Sequence, residues 1–248
     1  MNIIKLLSRI LIIAVICTGL ISARPLAPAA VTILVTTSED EFVNNEACSL
    51  REAIWAAHLN TSWYGCDYSD DGSGEAEIID MQDHDLTFDE VCSGTDYLSC
   101  GDLDIIDSVT IQGAGMEETI LDANFIDRVF DIQGMIEVTL ADLTLMNGRA
   151  PSGQVGDDGN KGMDGSVGED GGDGDPGADG GGILVVSASL NLTRILMANN
   201  AAGDGGLGGM GGEGGDYDGR GMTGGPGGNG GEGGDGGALY AYLADVII

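Results

Sequence analysis

Apolar and polar residues alternate along the chain in short runs, and the runs recur. Val138, Leu140, Leu143 and Leu145 are matched 52 residues later by Leu190, Leu192, Ile195 and Met197, and Asn147 falls on Asn199. A third copy opens at Leu239 and reaches Val246 and Ile248, 56 residues beyond Leu190 and Leu192. Alternation with period two is what a strand with one buried face requires. These pairs should therefore point inward, as should Val109/Ile111 and Phe130/Ile132 in the preceding coils. Glycine-rich blocks at 152–179 and 203–235 separate the copies. Once they are subtracted the period falls to about 23 residues, the length of one coil of a β-solenoid. The asparagines suit turns between strands, where Asn tolerates a left-handed backbone. No helix-period segment lies between the strands, which argues against a βαβ fold.

One helix is predicted. Residues 31–37 read as a strand, and Ser49 followed by Glu52 is a capping box that starts a helix. Leu50, Ala53, Ile54 and Ala57 then form an apolar stripe, with Arg51 off it. This segment reads as a short helix covering the end of the core rather than as a catalytic site built on Arg51 or Glu52.

The stretch Cys48–Ile54 resembles the Cys-Ser-Leu-Arg-Glu-Ala (CSLREA) signature of a family of bacterial exported proteins. The runs Gly101–Ile105, Val109–Gly115 and Asp127–Ile132 are similar to stretches that follow the motif in that family. The resemblance implies a right-handed parallel β-helix of the pectate-lyase-like kind, on surface or secreted proteins that are mostly uncharacterised. The expected fold is all-β: a right-handed parallel β-helix (β-solenoid) with a short N-terminal capping helix and glycine-rich loop insertions.

The first glycine block has glycine at every third position from Gly153 to Gly180, with Pro176 as its one proline in that run. The second is mostly Gly-Gly-x, interrupted around Tyr217–Thr223. Glycine every third residue suits an extended threefold helix, because a residue without a side chain allows close lateral approach. Both blocks are expected as loops at one coil corner, partly packed as such helices. Gly211–Asp218 approaches a calcium-binding glycine repeat, but Asp218 stands where an apolar residue belongs. No cofactor is expected beyond weak calcium binding by the acidic loops.

Residues 1–29 read as a signal peptide: Lys5 and Arg9, an apolar run over Ile10–Ile21, and the small-x-small site Ala27-Pro28-Ala29. Residues 30–100 would hold the N-terminal strand, helix and disulfide loops, and residues 101–248 the coils. The formal charge is −32 from 41 acids and nine bases, and signal removal takes three of the bases. Such charge repels nucleic acid phosphates and anionic membranes, so neither partner is expected. Four cysteines remain after cleavage, Cys48, Cys66, Cys92 and Cys100, which in an exported chain argues for two disulfides with three possible connectivities. The sequential pairs Cys48–Cys66 and Cys92–Cys100 are favoured because each closes a short loop.

A lyase would need a base beside calcium-bound carboxylates, and a hydrolase a spaced pair of carboxylates. Arg51, Arg128, Arg149, Lys161, Arg194 and Arg220 are the cations on offer, and no acid pair stands out, so no catalytic residue is assigned. The expectation is a bacterial secreted or cell-surface protein with a structural or adhesion role, without membrane insertion after cleavage. Its expected partners are extracellular polysaccharide or cell-surface components. A polysaccharide lyase or glycoside hydrolase is the alternative. Because the chain stops at Ile248 within the third copy, it is expected to be a truncated part of a parent with further coils and a cap or anchor.

Overall fold

The structure is a computed structural model that describes residues 30–69, 76–89 and 99–248. The expected signal peptide and Cys92 lie outside the described residues. The chain begins with β1 (Thr32–Leu34), α1 (Leu50–Leu59), β2 (Glu77–Gln82), β3 (Leu86–Thr87) and β4 (Leu103–Ile105). β5 (Val109–Gly113), β6 (Ile120–Asp122), β7 (Phe130–Gln133) and β8 (Glu137–Met146) follow. After the first glycine block come β9 (Ile183–Val186) and β10 (Ser189–Ala198). A small hairpin, β11 (Asp216–Tyr217) and β12 (Arg220–Gly221), precedes β13 (Leu239–Tyr242) and β14 (Asp245–Ile247).

The hydrogen-bond ladders sort these strands into two parallel sheets, one of eight strands and one of four, plus the antiparallel hairpin β11–β12. The larger sheet runs β1-β2-β5-β8-β10-β14, with β6 also paired to β8 and β3 paired to β6, and the smaller runs β4-β7-β9-β13. This corrects the expected right-handed parallel β-helix with glycine-rich loop insertions. The strands form two separate ladders rather than one closed solenoid wall. Between β8 and β9, and again between β10 and β13, the chain leaves the sheets and spends its hydrogen bonds within a glycine bundle. The glycine stretches are therefore an ordered structural unit, not loops.

Register follows the sequence repeat. β8 and β10 pair Val138 with Leu190, Leu140 with Leu192, Leu143 with Ile195 and Leu145 with Met197. β10 and β14 pair Leu190 with Val246. Alternation places Val109, Ile111, Phe130, Ile132, Val138, Leu140, Leu143 and Leu145 in one continuous buried core. Turns stack as well. Asn147 and Asn199 both take the left-handed conformation (φ 57° and 56°), and the Asn147 N–H donates to the Ala198 carbonyl. Asp142 and Arg194 are likewise left-handed (φ 59° and 52°) and form an ion pair across the layers.

Burial thins towards β14. Ile195, Met197, Leu239 and Val246 are only partly buried, while Leu243 and Ile248 are exposed. Leu192, Ile195, Met197, Leu239 and Ile248 line a depression of about 420 Å³ at that end. At the other end α1 packs against β1 and β2. Its N-terminus is closed where the sequence places the capping box: the Ser49 hydroxyl accepts from the Glu52 N–H, and the Glu52 carboxylate accepts from the Ser49 N–H. Asn60, left-handed at φ 51°, ends the helix.

Candidate functional site: a buried arginine node and a glycine bundle

Beside α1, Arg51 is buried rather than solvated. Its guanidinium binds both Asp40 carboxylate oxygens and donates to the carbonyls of Gly101 and Asp102, the latter at 2.9 Å. The charge also lies 5.0 Å from the centroid of the Phe88 ring. This one residue thus ties the helix to the 38–41 segment and to the turn before β4. Asp102 is itself fully buried and lies 3.5 Å from Arg128. Glu52 is buried behind the node, accepting from the Val43 N–H (2.8 Å) as well as from Ser49 (3.0 Å). Burial pushes its carboxyl above the usual range, and the hydrogen bonds from the Ser49 and Val43 amides oppose that shift. The chemistry of Arg51 and Glu52 is structural.

The Cys48–Cys66 disulfide fixes the helix start, and Cys100 is also disulfide-bonded, its expected partner Cys92 lying outside the described residues. Around the first bridge Phe42, Trp55, Trp63 and Tyr64 gather with centroids 4.8–6.4 Å apart, and His58 packs on Trp55. Their tilted and edge-on contacts make them a small packed cluster rather than a flat platform.

The largest feature that the strands do not account for is the glycine bundle. It has four extended segments, at 151–163, 166–180, 203–215 and 223–236. The first pairs in parallel with the third: Gly153, Gly156, Gly159 and Gly162 donate to the carbonyls of Asp204, Leu207, Met210 and Glu213 at 2.7–2.8 Å. The second pairs in parallel with the fourth through Gly168, Gly171, Gly174 and Gly177, which donate to Thr223, Pro226, Asn229 and Glu232. Antiparallel bonds join first to second (Gly172 to Asp157), second to third (Gly209 to Gly172) and third to fourth (Gly228 to Gly209). Bonds that recur every third residue on each flank are the signature of a threefold extended helix.

The packing explains the composition. A Cβ on Gly206, Gly209 or Gly212 would lie 1.9–2.0 Å from a carbonyl oxygen of the first segment, and one on Gly205, Gly208 or Gly211 would lie 1.9–2.2 Å from a carbonyl of the fourth. The third segment is crowded on two flanks, so two of every three residues must be glycine. The first is crowded on one, so Gly-x-x suffices. The remaining positions mix acids with apolar and neutral polar residues, among them the exposed Val155, Leu207 and Met210. Asp158, Asp173 and Asp179 accept from the backbone N–H groups of Met210, Asn229 and Asp235 in the next layer. Arg149 pairs with Asp204, and Lys161 lies 3.6 Å from Glu213. Asp179, with burial and Asp235 adding to its effect, holds the Tyr240 hydroxyl above its ordinary pKa.

Arg194 binds Asp142, and Arg220 lies on the hairpin at the bundle tip. The calcium-like stretch Gly211–Asp218 falls in the third segment and that hairpin, and no group of three potential metal ligands occurs among the described residues. No helix among them is long and apolar enough to cross a membrane. The arginine node and the bundle's internal contacts escaped sequence reasoning. The change from Gly-x-x to Gly-Gly-x in the third segment was the one signal, and it marks that segment's second crowded flank. No family model, curated protein or solved structure matches the chain.

Proposed function

We propose that this is an exported surface or extracellular protein with a structural or adhesive role. The observation that carries the reading is the glycine bundle. Its segments of about 12 residues span roughly 37 Å at the rise of a threefold extended helix, and together they carry 11 carboxylates against the single cation Lys161. A rigid acidic bar of this kind suits contact with polysaccharide or cell-surface material better than turnover of a substrate. The Cys48–Cys66 bridge supports an oxidising location, and so does the resemblance of Cys48–Ile54 to the exported CSLREA family.

Retention measurements test the proposal. Beads coated with the oxidised protein are expected to be held on plates of acidic or neutral polysaccharide, and to lose that retention when the bundle is disrupted by Gly209→Ala. Incubation with polygalacturonate is expected to leave the polymer intact. Release of unsaturated or reducing oligosaccharides would overturn the structural reading in favour of a lyase or hydrolase.

A further inference from the structure

The two faces of the bundle are not alike. In the first layer, the amides of Gly153, Gly156, Gly159 and Gly162 and of Gly168, Gly171, Gly174 and Gly177 all donate to the second layer. The corresponding rows of the second layer, 52 and 56 residues on, are Gly205, Gly208, Gly211 and Gly214, and Gly224, Gly227, Gly230 and Gly233. These eight amides donate to no acceptor among the described residues. On the opposite side, the carbonyls at 152, 155, 158 and 161 and at 167, 170, 173 and 176 match in position the second-layer oxygens that accept. They receive no hydrogen bond among the described residues. One face therefore presents two rows of open backbone donors and the other two rows of open backbone acceptors, each repeating every third residue, about 9 Å apart in such a helix.

The fourth segment also keeps glycine where its own fold does not require it. In the first layer, a Cβ on Gly168, Gly171, Gly174 or Gly177 would lie 2.0–2.2 Å from a backbone oxygen of the layer above. In the equivalent row of the second layer, the nearest atom to a Cβ is at 3.3 Å for Gly227, 3.6 Å for Gly230 and 3.8 Å for Gly233. Alanine fits at Gly230 and Gly233, and at Gly227 it needs a shift of a few tenths of an ångström, yet each position is glycine and exposed.

We infer that the donor face docks the acceptor face of the bundle of a second copy of this chain. The open donor rows find their acceptor rows on the unlike face, which makes donor-to-acceptor contact the arrangement that satisfies both. Donor-to-acceptor contact is heterologous: each added copy leaves one face of each kind free, so assembly continues linearly. The bundle is acidic on both layers, with Asp170 in the first and Glu232 in the second among its exposed carboxylates, so like charge opposes the approach of two copies. Salt should therefore promote association by shortening the screening length from about 10 Å at 0.1 M to about 3 Å at 1 M. The inference stands apart from the adhesive role and does not need it.

The test uses the full chain and a double variant, Gly230→Ala/Gly233→Ala, followed by sedimentation velocity over a hundredfold range of protein concentration at low and high salt. The parent is expected to gain mass with concentration, more strongly at high salt. The variant should remain at the mass of a single chain with an unchanged melting curve, its association constant at least tenfold weaker. A parent that stays single under all conditions, or a variant that associates equally, overturns the inference. If the variant does not fold, hydrogen exchange of the parent decides. Amides of Gly227, Gly230 and Gly233 that become protected at high concentration support docking, and amides that stay unprotected overturn it.

Discussion

Gly209→Ala is expected to destabilise the protein by about 3 kcal/mol, as overpacking of a close-packed site does. The added methyl would sit 2.0 Å from the Asp157 carbonyl oxygen and 2.5 Å from its carbon. Those atoms belong to backbone already engaged: Asp157 accepts from Gly172, and the Gly209 N–H donates to the Gly172 carbonyl. Relief requires the first and third segments to separate, which breaks bonds on both flanks. At this size the loss corresponds to a melting midpoint lower by roughly 6–12 °C. The control is Gly233→Ala, whose nearest neighbour is 3.8 Å away and which should change stability by no more than about 0.5 kcal/mol. Equal melting curves for the two variants would mean that the third segment is not packed as described.

Arg51→Met should cost about 3–5 kcal/mol, the range seen when one partner of a buried pair is removed. The Asp40 carboxylate, with a side chain 1% exposed, would be left without its cation. The carbonyls of Gly101 and Asp102 would lose their donor at the same time. The double variant Asp40→Leu/Arg51→Met removes both charges and should recover part of the loss, which separates an unpaired charge from simple loss of packing. Denaturant titration of the three proteins measures this. If the single variant is as stable as the parent, or the double variant is worse than either single, the node does not hold the helix in place.

Much of the sheet register was legible because two constraints agree. Parallel layers repeat in sequence at the offset that brings Val138 under Leu190, and alternation marks the buried face of each. The capping box at Ser49 and Glu52 is local, so no tertiary knowledge was needed to place it. Arg51 was not legible. Its helix position lies off the apolar stripe, and what buries it are residues 40, 88 and 100–102, distant in sequence and unmarked by any periodicity. The closed β-helix was over-read from the coil period, because a period specifies how layers stack and not how their edges are joined. In the third segment the second glycine of each triplet carried the missing information, recording a second crowded flank.

The central claim is that the glycine-rich stretches are a hydrogen-bonded bundle, and amide hydrogen exchange resolved by residue tests it most directly. At low concentration and low salt, Gly206, Gly209 and Gly212 should be protected, since each N–H donates to the second segment at 2.8 Å. Gly205, Gly208 and Gly211, one residue earlier, should exchange rapidly, as should Gly227 and Gly230. Protection would then rise and fall with a period of three along the block. Uniformly rapid exchange from 203 to 236 would contradict the bundle and with it the account of function built on it.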